Sequence, residues 1–269
     1  MFTRIYRYRE DLYKVILLYK KDLFSPPGFE DPGGLNDHKT ADNLRRAQRS
    51  IEDIALCNPW EWFGTFTLDP QKYDRKDLDK FRKDFSQFIK DQRKKYSCHT
   101  SYMSVPELHK KLDGWHLHGL LHDLPPDALR PFTLDEKLPS YIREKLKQGY
   151  KLYDWPDYRK KFGYVLLESV RSRDAAARYL VKYLRKDSGK TALNLDLHKH
   201  LYYCSKGLKH PDLFVSYEHS NYSERAVSSS LTALPAAIRR IEFAYEFDYG
   251  QVLWVSAKPS ITEYAAQSQ

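Results

Sequence analysis

The segment from Trp115 to Gly119 reads WHLHG, an apolar run in which one leucine separates two histidines. Successive side chains of a β-strand point to opposite faces, so a strand here places His116 and His118 on the same face. Trp115 and Leu117 then pack on the other face. Because two neighbouring neutral imidazoles can bind one divalent metal ion, the segment predicts a strand with a ligand face and a core face.

A second segment adds to this pattern, which by itself could arise by chance among 10 histidines. Residues 173–186 are rich in Ala, Leu, Arg and Lys, with Asp174 in the first turn, which predicts a helix. Tyr179 and Tyr183 are one helical turn apart and share a face, with Lys182 beside them.

A strand with two histidines flanking a hydrophobic residue, followed by a Tyr-x-x-Lys helix, resembles the HUH endonucleases. Within that superfamily, the chain resembles the rolling-circle replication initiator (Rep) proteins of phages and plasmids. Residues 63–70, with the sequence FGTFTLDP, resemble the first motif of that family, and matching segments follow in the family's order at 106–107, 115–121, 177–187 and 202–211. The resemblance implies an α+β fold, with a central antiparallel sheet flanked by helices and βαβ elements of the ferredoxin or RRM kind.

The resemblance also implies a divalent metal, Mn²⁺ or Mg²⁺, bound by His116, His118 and a third ligand. Glu107 is the residue that matches the family. The register of the strands leaves alternatives open, because a tight two-residue turn before Trp115 would place His109 opposite His118. A wider loop would bring Glu107 beside His116. His122 lies on the same face one pair further along and is a second substitute.

Tyr179 aligns with the tyrosine of the family motif and is the expected nucleophile. Its attack on DNA would form a 5′-phosphotyrosine link and release a 3′-hydroxyl. Free tyrosine has a pKa of about 10, so activation is needed, and Lys182 is the candidate. Tyr183 is either a second nucleophile, as in phage initiators that use two tyrosines alternately, or a packing residue.

The composition agrees with a nucleic-acid partner, because 45 Lys and Arg face 36 Asp and Glu, for a net charge of +9. Interleaved with this charge are 21 Tyr, 13 Phe and 5 Trp, which suits single-stranded DNA, since aromatic rings stack bases while cations follow the phosphates. Arg173 and Arg178 are candidates for DNA contact, or else solvated surface. Arg45, Arg46 and Arg49 are expected to be solvated.

The chain is expected to contain three segments. Residues 1–58 form an N-terminal helical extension, with a basic amphipathic helix over 4–23, a Pro- and Gly-rich linker over 25–34 and a second helix over 41–57. Residues 59–215 form the nuclease domain. Residues 216–269 form a C-terminal extension, packed on that domain, with a β-hairpin turned at 249–250.

Several classes of protein are disfavoured. The three cysteines are widely separated, which argues against a disulfide framework or a zinc site and fits the cytoplasm. The longest apolar run near the N-terminus, residues 15–19, is too short to span a membrane. The segment 188–191 ends like a phosphate-binding loop, but Leu184 stands where its glycine would be, so no ATPase is expected.

The expected function is therefore an endonuclease that nicks and rejoins single-stranded DNA at a replication origin, with or without a hairpin, and initiates rolling-circle replication. Unwinding and synthesis would require a helicase and a polymerase of the host. Two alternatives are a non-catalytic single-stranded DNA-binding protein and an HUH relaxase or transposase with the same chemistry.

Overall fold

A computed structural model describes residues 2–18, 35–109, 114–186, 200–218, 232, 234–235, 238–247 and 250–257 of the chain. Contacts divide the chain into two compact units, one of residues 34–209 and one that joins residues 1–33 to residues 210–269. The predicted linker, the segment 188–191 and the turn at 248–249 lie outside the described residues. No helix in the described part of the chain is long and apolar enough to cross a bilayer.

The elements follow one another in a mixed α and β order. The strands are β1 (Phe2–Arg9), β2 (Leu12–Leu18), β3 (Trp62–Thr67), β4 (Ser101–His109), β5 (Gly114–His122), β6 (Arg130–Pro131), β7 (Leu152–Asp154), β8 (Val165–Ser169), β9 (Tyr203–Cys204), β10 (Asp212–Glu218), β11 (Ile238–Phe247) and β12 (Gly250–Ala257). The helices are α1 (Leu35–Cys57), α2 (Leu78–Tyr96), α3 (Ser140–Lys147), α4 (Pro156–Lys161) and α5 (Arg173–Lys186).

The unit of residues 34–209 is built on a seven-stranded sheet in the order β6-β7-β8-β3-β5-β4-β9. All of its strand pairs are antiparallel. The predicted α+β class, with an antiparallel sheet and flanking helices, is thus confirmed. β3 and β5, which carry the first motif and the histidine pair, lie near the middle of the sheet.

Helix α2 covers one face of this sheet. Asp77 caps its N-terminus by accepting a hydrogen bond from the backbone of Lys80, which satisfies one of the unpaired amide groups of the first turn. Its buried residues recur every three or four positions, as expected for an amphipathic helix. They meet the inward side chains of the sheet and of α4 in one aromatic-rich core: Phe66, Phe81, Phe85, Phe88, Trp155, Tyr158 and Phe162.

Helix α5 lies on the opposite face, where it contacts β4 and β5, and α1 packs against α5. The predicted helices over 41–57 and 173–186 are therefore present, the first of them starting earlier, at Leu35. Ala177 and Leu180 of α5 are buried, whereas Tyr179 is exposed. The helix thus presents an apolar stripe to the protein and leaves its tyrosine at the edge of the interface.

The second unit contains a five-stranded antiparallel sheet in the order β10-β1-β2-β12-β11. The predicted helix over residues 4–23 is wrong for its described part, because residues 2–18 form the β1–β2 hairpin. Burial in β2 alternates through Tyr13, Val15 and Leu17, which is the period of a strand. Tyrosine and β-branched residues also favour strands over helices.

The C-terminal hairpin is present, with Phe247 of β11 paired to Gly250 of β12. Strand β12 also pairs with β2, so the two ends of the chain share one sheet. The structural division therefore joins two segments that the sequence analysis places apart.

A glycine fixes the end of β3. Gly163 has φ of 146°, and a Cβ built on it would lie 2.4 Å from the backbone nitrogen of Asp69. This close approach accompanies two backbone hydrogen bonds, from Thr67 N to the oxygen of Tyr164 and from Asp69 N to the oxygen of Phe162. Since Thr67 ends β3 beside the ligand face, the glycine helps to hold that face in place.

Gly163→Ala is expected to lower the free energy of unfolding by about 3 kcal/mol or more, because the strain of positive φ and a steric clash combine. Gly149→Ala is the matched control: Gly149 has φ of 82° with nothing within 4 Å of the added Cβ, so about 1–2 kcal/mol is expected. Urea denaturation measures both. Equal losses would show that the close approach at Gly163 is not tight.

Candidate active site

The antiparallel register of three strands brings the predicted metal ligands onto one face of the sheet. Thr65 of β3 lies opposite His118, and Thr67 lies opposite His116. On the other side of β5, Glu107 of β4 lies opposite His116. Directly opposed residues of antiparallel strands point to the same side, so these five side chains share the face covered by α5.

Each imidazole is held by a threonine hydroxyl. Thr67 Oγ1 lies 3.1 Å from Nδ1 of His116, and Thr65 Oγ1 lies 3.3 Å from Nδ1 of His118. A hydroxyl can donate or accept, so each threonine fits either tautomer of its histidine. When Nδ1–H donates to the threonine, the Nε2 lone pair on the opposite ring edge is available to a metal ion.

Glu107 makes a direct contact with one of the histidines. Its Oε2 accepts a hydrogen bond from Nε2 of His118 over 2.6 Å, and both side chains are largely shielded from solvent. His116 is 8% exposed and His118 is 6% exposed. No group of three or more His, Cys, Asp or Glu within the described part of the chain has its ligand atoms already arranged around a common point.

The chemistry of these donors nevertheless fits a divalent cation. Two imidazole nitrogens and one carboxylate oxygen are a common ligand set for first-row divalent metals, and the carboxylate suits Mn²⁺ and Mg²⁺. Because Glu107 and His118 occupy each other's ligand atoms in the present arrangement, binding of a cation requires their hydrogen bond to open.

The two substitutes for Glu107 lie elsewhere. The backbone of His109 pairs with Gly114, as the wider-loop alternative requires, and its side chain is outside the described residues. His122 pairs with Ser101, and its Nδ1 lies 3.6 Å from Oε2 of Glu61. The structure therefore groups Glu107, and not His122, with the histidine pair.

Tyr183 joins the tyrosine helix to the ligand face. Its ring stacks on that of His118, with centroids 3.7 Å apart and an angle of 8° between the planes. Its hydroxyl donates a hydrogen bond to the hydroxyl of Tyr179 over 2.9 Å. Burial raises the pKa of Tyr183 above the ordinary value, and the hydrogen bond to Tyr179 and the charge of Glu107 raise it further.

Tyr179 lies at the open side of this cluster. Its side chain is 45% exposed, and its ring meets Phe63 edge-on at 5.1 Å between centroids. Phe63 in turn stacks near His118 at 6.3 Å. The nucleophile predicted from the sequence is thus both close to the histidines and accessible to a large substrate.

The basic residues of α5 are distributed unequally around Tyr179. Nζ of Lys182 lies 5.8 Å from the centroid of the Tyr179 ring. Lys182 and Arg178 line a groove between α1 and α5 that also contains Arg45 and Arg49. Arg173 is exposed at the start of α5 and does not line this groove.

Three residues of the site were not assigned a role from the sequence. Thr65 and Thr67 orient the histidines, and Phe63 separates His118 from Tyr179. The signal for the threonines is their alternation with Phe66 and Leu68, which gives β3 one polar face. A polar strand face alone does not reveal its partner, because the pairing register of β3 and β5 is a tertiary property.

Tyr183 is expected to stay protonated at pH 11, where an ordinary tyrosine with a pKa of about 10 is mostly ionised. The sign follows from its surroundings, since burial and the nearby carboxylate both favour the neutral phenol. NMR of protein labelled at tyrosine ¹³Cζ measures this, with the resonance assigned from a Tyr183→Phe variant. A midpoint near pH 10 would contradict the packed environment.

The region that holds this site is similar to a known family. Residues 61–188, a little under half of the chain, match a family of replication-associated proteins of the ORF2 type. Neither the curated proteins nor the solved structures gave a match. The matched residues include β3, β4, β5 and α5, so the part of the chain that carries the candidate site is similar to replication-associated, Rep-type proteins.

Proposed function

We propose that the protein is a metal-dependent endonuclease that nicks single-stranded DNA at a replication origin and initiates rolling-circle replication. Tyr179 is its nucleophile, and His116, His118 and Glu107 are its metal ligands. The similarity of residues 61–188 to replication-associated proteins supports this assignment. The same site would later rejoin the strands, and host helicase and polymerase would extend the released end.

The observation that carries the proposal is the contact between the two motifs. The ring of Tyr183 stacks on His118, and its hydroxyl bonds to that of Tyr179. Residues about sixty positions apart in sequence thereby converge on one polar patch beside an exposed phenol. A structural role for the histidines alone would not require such a neighbour.

The proposed reaction is a transesterification. The Tyr179 oxygen attacks the phosphorus, a new P–O bond forms to the phenol, and the bond to the 3′ oxygen breaks. The phenol loses its proton, and the 3′ oxygen gains one as it leaves as a hydroxyl. The ester bond is retained as a 5′-phosphotyrosine, which allows the strand to be rejoined by the reverse step.

The chain's own groups have distinct parts in this reaction. Lys182 stabilises negative charge at the Tyr179 oxygen or the phosphate through its nearby ammonium. Thr65 and Thr67 hold the rings of His118 and His116 in a ligand orientation. When bound by these ligands, a divalent cation supplies polarisation of a non-bridging phosphate oxygen.

The groove between α1 and α5 offers a path for the phosphates of the strand. Arg45, Arg49, Arg178 and Lys182 line it together with one carboxylate, Glu52. This excess of positive charge favours a polyanion. Arg45 and Arg49, expected from the sequence to be solvated, thus face the same groove as Lys182, which is next to the nucleophile in its motif.

Tyr179→Phe is expected to abolish formation of a covalent adduct, whereas Tyr183→Phe is expected to retain first-strand cleavage. Phenylalanine at position 183 keeps the stack on His118 and removes a hydroxyl whose raised pKa makes it the poorer nucleophile. Labelled oligonucleotides from the protein's own replicon, with Mn²⁺, Mg²⁺ or EDTA, measure denaturation-resistant adducts.

Equal loss in both variants would refute the ranking of the two tyrosines. Binding without cutting by the wild type, under every metal and with origin-containing strands, would replace the proposal with a single-stranded DNA-binding function.

Glu107→Gln is expected to weaken Mn²⁺ binding at least about tenfold, because an amide is a poorer ligand than a carboxylate. Thr67→Val keeps the shape of the side chain but removes the partner of His116, and a loss of about 10–100-fold is expected. Isothermal titration calorimetry without DNA measures both affinities.

His122→Gln is the matched control for these variants, since His122 lies on the same face of β5 but beside Glu61. Its Mn²⁺ affinity is expected to equal that of the wild type. A normal affinity in Glu107→Gln would remove this carboxylate from the ligand set.

A further inference from the structure

A cavity of about 450 Å³ opens beside Tyr179 on the side away from Lys182, between β3, β8 and the start of α5. Resting on the proposed function, we propose that this cavity binds one unpaired nucleobase of the strand that Tyr179 cuts. The base would be held next to the scissile phosphate, so the cavity would contribute to the choice of the cleavage position.

The cavity wall suits the flat faces of a base. Phe63 and Tyr150 contribute aromatic rings, and Leu166, Val170 and Ala175 contribute aliphatic surface. Most of the exposed wall is carbon, as in cavities that accept bases between aromatic and apolar side chains. Stacking of this kind tolerates any base and is a large part of the affinity for single strands.

Polar groups at the rim suit the edge of a base. Lys145 and Glu168 form an ion pair at the cavity wall, with both side chains partly exposed. Ser169 and Ser172 add hydroxyl groups at the same wall. Donors and acceptors are therefore both present, and these are the groups that read the edge of an extruded base.

An arginine at the same wall suits the phosphate that accompanies a base. The guanidinium of Arg171 lies over the ring of Tyr150, 4.3 Å from its centroid. Arg171 is exposed and lines the cavity. A cation stacked on an aromatic ring keeps its donors available at its edges, where they can meet a phosphate oxygen.

The position of the cavity selects a base rather than a phosphate as the occupant. Tyr179, Thr65 and Phe63 line the cavity, and the same three residues border the histidine pair. A base seated here therefore lies within one nucleotide of a phosphate at the Tyr179 hydroxyl. The phosphates have the more basic groove between α1 and α5 on the Lys182 side.

The test combines a change in the cavity with a change in the DNA. Ala175 is exposed on α5 and lines the cavity, so Ala175→Trp fills it at little cost to folding. Gln87→Trp places the same ring on an exposed position of α2, the helix on the other face of the sheet. The oligonucleotides carry a single abasic residue at each position around the cleavage site in turn.

For the wild type and Gln87→Trp, an abasic residue at one position next to the cut is expected to lower kcat/KM roughly 10- to 100-fold, the range for loss of one stacked base. In Ala175→Trp the same abasic residue is expected to have no further effect, because the base is already excluded. Tyr150→Phe should behave as the wild type, and Tyr150→Ala should lose most of the dependence on that base.

The proposal is overturned when the abasic effects are the same in the wild type, Ala175→Trp and Tyr150→Ala, or when no single position matters. Equilibrium binding of the same oligonucleotides to Tyr179→Phe protein in EDTA, with and without Ala175→Trp, gives a second measurement that needs no cleavage. Absence of cleavage by the wild type rejects the endonuclease, while the binding series still decides whether a base occupies the cavity.

Discussion

The pairing of β4 with β5 places Glu107 opposite His116, and a slip of one residue would turn the carboxylate to the face packed by α2. Side chains alternate along a strand, so a register shift of one reverses every residue of that strand. The large aromatic core on the α2 face makes such a slip costly, because Trp115 and Leu117 would have to leave it. The core therefore secures the alignment of residues that do not belong to it.

The ligand face combines packing with chemistry. The histidines are buried, yet each ring has a threonine partner and His118 also bonds to Glu107. Buried polar groups without partners are costly, so these contacts keep the patch stable while no cation is bound. The same threonines can hold the rings when the lone pairs of Nε2 turn to a metal ion, which makes the patch compatible with two states.

The two tyrosines of α5 are chemically unequal although they are one turn apart. Tyr183 is packed on His118 and its pKa is raised, whereas Tyr179 is exposed between two differently lined depressions. One is mainly apolar with an aromatic rim, and the other is basic. We infer that a single strand can place a base in the first and phosphates in the second while its backbone crosses the hydroxyl of Tyr179.

The sequence by itself determined the α+β class, the positions of β3, β5, α2 and α5, and the sharing of one face by His116 and His118, because these depend on local periodicity and composition. It misled at residues 2–18, where charge and aromatic residues resembled an amphipathic helix but burial follows the period of a strand. Only the tertiary structure selected Glu107 as the neighbour of the histidines, matched Thr65 and Thr67 to their rings, and put Tyr183 on His118. These pairings depend on loop length, strand register and helix docking, which are set by contacts between residues far apart in the chain.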